Sequence, residues 1–203
     1  MSGDDRRRQL IQVAIELFAR KGFGGTTTKE IAAAAGVTEA IIFRHFATKQ
    51  DLYQAILDTK CSLAGSDDWL AELQAFMDRN DDEGLFRFLI TKILEFDRVD
   101  PQFGRLLLHA SLEGNELALM HNQQMAMPIG AKFKEYIARR QAAGALRAMD
   151  PSIVIYAIAG IAQHYAMQKY MYGNKEISLS DEEAVDGFLR IAMSGLRPQE
   201  SSK

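Results

Sequence analysis

Between Glu39 and Lys49 the chain mixes a carboxylate (Glu39) and small or apolar side chains, Ala40, Ile41 and Phe43 among them, with three basic ones (Arg44, His45, Lys49). A buried core has little use for that mixture. A carboxylate can accept a hydrogen bond from cytosine N4, and small or apolar groups can touch thymine methyls. Cations just past such a reading surface can hold phosphates. By residue type, then, Glu39, Ala40 and Ile41 are candidates for base edges, and Arg44, His45 and Lys49 for the backbone of a nucleic acid.

Such groups must be carried on a short helix with firm support. Ile42 and Phe46 stand four residues apart and can seal that helix from below, with Val37 in the turn before it, while Glu39, Ala40, Ile41, Phe43 and Arg44 fall on other faces. Thr38 is placed to cap it, and it runs to about Phe46. Upstream, Thr27 and Glu30 have capping-box spacing, which predicts a helix over Thr28–Ala35 that Gly36 ends. A first helix over Arg6–Lys21 follows from Leu10, Val13, Ala14, Leu17 and Phe18 at three- and four-residue spacing, with Gly22 as its stop. Thr48 and Asp51 repeat the box for a fourth helix to about Leu63. Two short helices about a glycine turn, behind a supporting helix, make a helix-turn-helix.

Charge is distributed to match. The chain of 203 residues carries a net −3, yet up to Lys60 there are nine Lys and Arg against seven Asp and Glu, and beyond it 15 against 20. The front of the chain therefore faces polyanions better than the average suggests. Basic residues cluster at Arg6–Arg8 and again at Arg44, His45 and Lys49. The single cysteine, Cys61, excludes an internal disulfide and a cysteine zinc cluster, and reads as a small packed side chain. No apolar run approaches the roughly 20 residues of a membrane span, and the charged start lacks the apolar core of a signal peptide. A cytoplasmic protein with no membrane partner is expected. No GxSxG, HExxH, P-loop or CxxC is present, so an enzyme is not expected, nor a cofactor or a metal.

Taken in order, Leu17-Phe18, Gly22, Thr26-Thr27, Ile31-Ala32, Ala35-Gly36-Val37, Thr38, Phe43, His45-Phe46, Lys49 and Leu52 resemble the DNA-binding domain of the TetR family of transcriptional repressors. The resemblance implies that Thr27 and Lys49 meet phosphates at helix starts, that His45 does so beside the groove, and that Thr38 to Phe43 approach bases. Lys29 completes the candidate set. Phe43 departs from the tyrosine common in the family, which removes a phenolic donor to phosphate. Ala40 and Ile41 stand where glycine and a polar residue are common, so the reading head is more apolar than usual. The resemblance further implies an all-α fold. In it an N-terminal three-helix DNA-binding domain, residues 1–47, is joined by a linking helix to a larger C-terminal helical domain, residues 48–203, for effector binding and dimerisation.

In the remainder, helical periodicity predicts helices near Trp69–Arg79, Asp82–Val99, Pro101–Glu113, Glu116–Gly144, Pro151–Tyr172 and Asp181–Leu196, after a soft boundary at Gly65–Asp68. Asp150-Pro151 is a cap with proline at the first helical position, and Ser180 with Glu183 is a further box. Trp69, Phe76, Phe86, Phe96, Phe103, Leu107, Met120, Met125 and Met127 can line an apolar effector cavity or simply form core, with His109, Glu113, Gln163 and His164 as its polar candidates. His109 and Glu113 share a face at four-residue spacing, which is too little for a metal site and suits a hydrogen-bond network or the orientation of an organic effector. The last two helices are apolar on more than one side, and family resemblance implies that they pair into a four-helix interface of a homodimer. Ile155, Ala159, Ala162, Ala166, Phe188 and Ile191 are its candidates. The expectation is a ligand-released repressor of a palindromic operator in double-stranded DNA, the alternatives being control by a protein partner, or activation.

Overall fold

The structure is a computed structural model that describes residues 2–64, 67–114 and 116–198, and their side chains except at 61–64, 67–68, 116–118 and 124–125. Gly65 and Ser66 of the expected boundary and the side chain of Cys61 thus lie outside the described residues. The chain is all-α, without a strand among the described residues: α1 Gly3–Lys21, α2 Thr28–Ala34, α3 Glu39–His45, α4 Lys49–Ala64, α5 Asp67–Asp78, α6 Asp82–Val99, α7 Pro101–Leu112, α8 Glu116–His121, α9 Met127–Ala142, α10 Pro151–Ala166 and α11 Asp181–Leu196. No helix among the described residues is long and apolar enough to cross a membrane.

Two compact units result, Met1–Gly65 with Gln102–Met125, and Ser66–Pro101 with Ala126–Lys203. In the first, α1 packs on α2 and α4, and α2 on α3, while α8 packs on α4. Its buried side chains include Leu10, Ile15 and Phe18 of α1, Ile31 of α2, Ile42 and Phe46 at α3, and Leu52 and Ile56 of α4. The turn between α2 and α3 explains Gly36. It adopts φ 66°, and the Val37 amide behind it reaches back to the Ala32 carbonyl at 2.9 Å, an arrangement that closes the helix with a left-handed residue.

In the second unit α6 is the central element, packed on α5, α10 and α11, with α9 on α10. Leu85, Phe86, Ile90 and Leu94 of α6 join Phe133, Ile137, Val154, Ile158, Ala162 and Leu189 in one apolar core. Asp82 begins α6 and accepts from both sides of the Arg140 guanidinium, at 2.8 Å on each oxygen, and from the Tyr136 hydroxyl at 2.6 Å. That carboxylate fastens α9 to α6.

Four local expectations need correction. The helix expected over Glu116–Gly144 is broken by a π turn at Asn122–Ala126. Pro128, which has no amide and crowds the preceding turn, falls in the first turn of the new helix α9. The helix expected to reach Tyr172 likewise leaves α geometry at Met167–Met171, where the Tyr172 amide bonds five residues back to Met167 at 3.0 Å. Within this turn, Lys169 and Tyr170 both reach Asp181 at the start of α11, at 3.0 and 2.6 Å. Thr38 precedes α3 without a side-chain cap bond. At the front, α1 begins three residues early because Ser2 and Asp5 form a capping box, a spacing the sequence displays.

Candidate nucleic-acid interface

Helix α3 presents what its sequence spacing requires. Ile42 is fully buried and Phe46 nearly so, while Ala40, Phe43 and Arg44 are exposed and Glu39, Ile41 and His45 half-buried. Phe43 is 48% exposed, a large ring left about half open to solvent. Glu39 is anchored, since the Thr28 hydroxyl at the start of α2 donates to its Oε1. Thr28 was not among the expected site residues, and its partner lies 11 residues away across the turn.

Beside this helix an open cleft of about 450 Å³ is lined by Gly24, Thr26, Thr27, Thr28, Phe43, Ala47, Thr48 and Lys49. Both its threonine caps are built. The Thr27 amide donates to Glu30 at 2.8 Å and the Glu30 amide returns to the Thr27 hydroxyl at 3.2 Å. The Thr48 amide donates to Asp51 at 2.9 Å and the Asp51 amide returns to the Thr48 hydroxyl at 3.0 Å. Lys21 lies 2.7 Å from Glu30, and this bond, ahead of those from Thr27, pulls the Glu30 carboxyl down to about 2. Lys29 is exposed in the first turn of α2, and Arg7 of α1 stacks on Phe46 at 4.9 Å.

Lys49 differs from its expected posture. Its ammonium donates to the Phe23 carbonyl and lies 4.0 Å from the centre of the Phe23 ring and 5.8 Å from that of Phe18. Partial burial lowers its pKa, and the nearby carboxylates Glu113 and Glu30 oppose that shift. The charge therefore sits at the edge of the cleft, turned back onto the chain.

The expected effector residues are divided between the two units. Phe103, Leu107, His109, Glu113 and Met120 belong to the first unit, and Trp69, Phe86, Gln163 and His164 to the second, while the side chain of Met125 lies outside the described residues. Phe86 is core and Trp69 packs against Phe88, with ring centres 5.8 Å apart. Phe103 is buried, edge-on to His121 at 5.7 Å. Glu113 spends its carboxylate on the backbone amides of Phe23 and Gly24, at 3.0 and 3.5 Å. Among the described residues no group of three or more His, Cys, Asp or Glu could hold a metal. Gln163 donates at 2.7 Å to Asp97, a carboxylate that sequence reading passed over. Asp97 is fully buried and its second oxygen has no partner. The signal was present: Asp97 stands where the apolar stripe of Phe86, Ile90 and Leu94 would place another aliphatic residue.

The expected interface residues also divide. Ala162 and Ala166 are fully buried within the chain, Ala162 in the apolar core around α6, so neither offers exposed surface to a second copy. Ile155, Ala159 and Phe188 are half-buried, and Ile191 is 64% exposed. The outward face of α10 instead carries Ile153, Ile161 and Tyr156, the last 76% exposed.

Comparison with known proteins agrees with the helix-turn-helix. Residues 10–56 match the family described as bacterial regulatory proteins, tetR family. The HTH-type transcriptional regulator RutR of Escherichia coli (strain K12) is 29% identical over 202 residues, covering 96% of this chain and 92% of RutR. The HTH-type transcriptional activator FasR of Mycolicibacterium smegmatis is 26% identical over 194 residues, covering 95% and 84% of the two chains. Among solved structures, AibR in complex with isovaleryl coenzyme A and operator DNA superposes with a TM-score of 0.65 at 21% identity, covering 92% of this chain and 97% of its own, a likeness of fold. With the motif series and the built helix-turn-helix in agreement, residues 10–56 form a DNA-binding domain of the tetR family of bacterial regulatory proteins, in a chain similar over nearly its whole length to a transcriptional regulator.

Proposed function

We propose that the chain acts as a homodimeric repressor that binds a palindromic operator and is released by a small apolar or amphipathic effector. In this reading residues 1–47 form the DNA-binding domain and residues 48–203 serve effector binding and dimerisation. One observation carries it: the uncovered face of α3, with Ala40, Phe43 and Arg44 outward, beside a cleft floored by Thr27, Thr28, Thr48 and Lys49. An apolar reading head flanked by hydroxyls, a base and the amino end of the long helix α4 suits a groove bordered by phosphates. Glu39, Ala40 and Ile41 read bases, Thr38 and Phe43 border them, and Thr27, Lys29, Arg44, His45 and Lys49 hold the backbone.

Ile153, Tyr156 and Ile161 of α10 with Ile191 of α11 offer the apolar surface for a second copy. A dimer would present two α3 helices at about 34–36 Å, one turn of duplex apart. The AibR complex, solved with both isovaleryl coenzyme A and operator DNA, supports a fold that takes a small-molecule ligand as well as DNA. Such an effector moves α4 and spreads the reading heads if it binds the spread form more tightly, by roughly 1–3 kcal/mol for ordinary coupling. FasR, named an activator, favours a second reading in which the same DNA face recruits transcription instead of blocking it.

Selection of bound duplexes from a random library tests the core of this. The wild type should enrich a palindrome, Ile41→Ala should relax particular base positions, and Lys49→Ala should weaken all sequences alike. Failure to enrich any duplex, with or without candidate ligands, would remove the DNA-binding reading. Placing the enriched site over or upstream of a promoter then separates repression from activation.

A further inference from the structure

The two amides that follow α1 are held by a side chain from far along the chain. Phe23 N and Gly24 N both donate to Glu113 Oε2, from a residue 90 positions away that lies just past the end of α7 within the same compact unit. The backbone leaves room for this carboxylate. Gly22 adopts φ 72°, and a Cβ there would run into Glu113 Oε1. Phe23, whose amide Glu113 holds, also carries both groups that hold Lys49: its carbonyl accepts from the ammonium and its ring lies under it at 4.0 Å. That ring is itself packed against Tyr53 and Phe18, with centres at 4.7 and 5.6 Å. A cation with a carbonyl and an aromatic face as partners gives them up only in exchange for comparable ones.

We propose that Glu113 is a positioning residue for DNA affinity: by fixing Phe23 it keeps Lys49 turned back from the cleft, so that the end of α7 sets how readily Lys49 reaches a DNA phosphate. This rests on the DNA-binding reading above. Displacing the carboxylate loosens Phe23, frees the ammonium and tightens binding. Any movement that draws the end of α7 away from Gly22–Gly24 does the same. The relay therefore links the end of α7 through Phe23 to Lys49, the first residue of α4.

The test uses the full-length protein and the duplex that the wild type enriches. Glu113→Ala should tighten binding about three- to tenfold and steepen the dependence on salt by about one counterion, the signature of one more phosphate contact. The same substitution in a Lys49→Ala background should have no effect on affinity. Removing a negative charge near DNA would tighten binding by a general field as well, but that gain would persist without Lys49, and such a result overturns the relay. Gly22→Ala makes the complementary arm, since it expels the carboxylate while keeping its charge. If that variant folds, as judged by its thermal transition, it should bind more tightly too. Unchanged or weaker binding by Glu113→Ala also overturns the proposal. Should the wild type bind no duplex, the DNA-binding reading fails by itself. Amide hydrogen exchange and the Lys49 ammonium resonance then read the relay directly: Glu113→Ala must expose the Phe23 amide and shift the Lys49 signal, and their indifference would discard it.

Discussion

In the unit built on α1–α4, the capping pairs Thr27–Glu30, Thr48–Asp51 and Ser2–Asp5 sit at helix ends close to solvent and each satisfies free amides over three residues, with Glu113 the long-range exception. In the unit built around α6, polar groups lie deeper and reach far along the chain, as Asp82 does to Arg140 and Asp97 to Gln163. The contrast has a physical meaning. A surface that must exchange partners with a polyanion keeps its charges within reach of water and gives each short helix its own local closure. A bundle whose helices pack over long apolar faces derives most of its stability from burial, and its polar groups fix which helix meets which.

The strongest way to break this contrast is to remove core from the second unit. Phe86 is almost fully buried at the centre of α6, and Phe86→Ala should lower unfolding free energy by about 3–5 kcal/mol in denaturant titration. A loss no larger than that of a surface change would mean that α6 is not the organising element. Next in size is Asp82→Asn. Asp82 and Arg140 are 12% and 19% exposed at their side chains, and the substitution leaves the guanidinium with one good acceptor where it had two. A loss of about 2–3 kcal/mol is expected, below the full cost of stranding a deeply buried charge because water still reaches the pair. Recovery of most of this loss in an Asp82→Asn, Arg140→Met double variant would identify the stranded charge as its cause.

A smaller effect is expected at Asp97, and it carries a sign. Burial raises this carboxyl above the ordinary aspartate range, partly opposed by the bond from Gln163. The folded chain then holds the proton more tightly than the unfolded chain does. This contribution to stability is complete below the unfolded pKa, near 4 for an ordinary aspartate, and is lost as pH rises through the higher folded value. Wild type minus Asp97→Asn should therefore show unfolding free energy declining with pH over that interval. Parallel profiles for the two proteins would show that Asp97 does not titrate differently on folding.

The same contrast decides what could be read from residues alone. The capping boxes at Thr27 and Ser180, the Gly36 turn and the buried pair Ile42 and Phe46 are local patterns, and each is present in the structure. The resemblance to the family rests on the same local residues. What stayed hidden depends on distant partners. Nothing near Glu113 says that it holds the Phe23 amide, and nothing near Ala162 tells whether a small residue on an apolar helix faces its own core or another copy. Thr38 misled for a local reason, since a residue of capping type can precede a helix whose side-chain cap bond is never made. Pro128 was legible as a break, and the long apolar periodicity around it hid the signal.

The smallest and most discriminating comparison lies between two chemically matched caps. Thr27 and Ser180 each close a capping box, one at the start of α2 in the first unit and the other at the start of α11 in the second. Thr27→Ala and Ser180→Ala remove the same kind of bond, and each should lower stability by about 1 kcal/mol. Their effects on DNA should diverge. Thr27 lines the cleft beside Lys49, so its loss should weaken every duplex alike by a few fold, whereas Ser180→Ala should leave operator affinity within error once the protein is folded. Equal effects on binding would imply that Thr27 acts only through helix stability. A larger effect of Ser180→Ala would place the start of α11, with Asp181 and its partners Lys169 and Tyr170, among the elements that govern DNA binding.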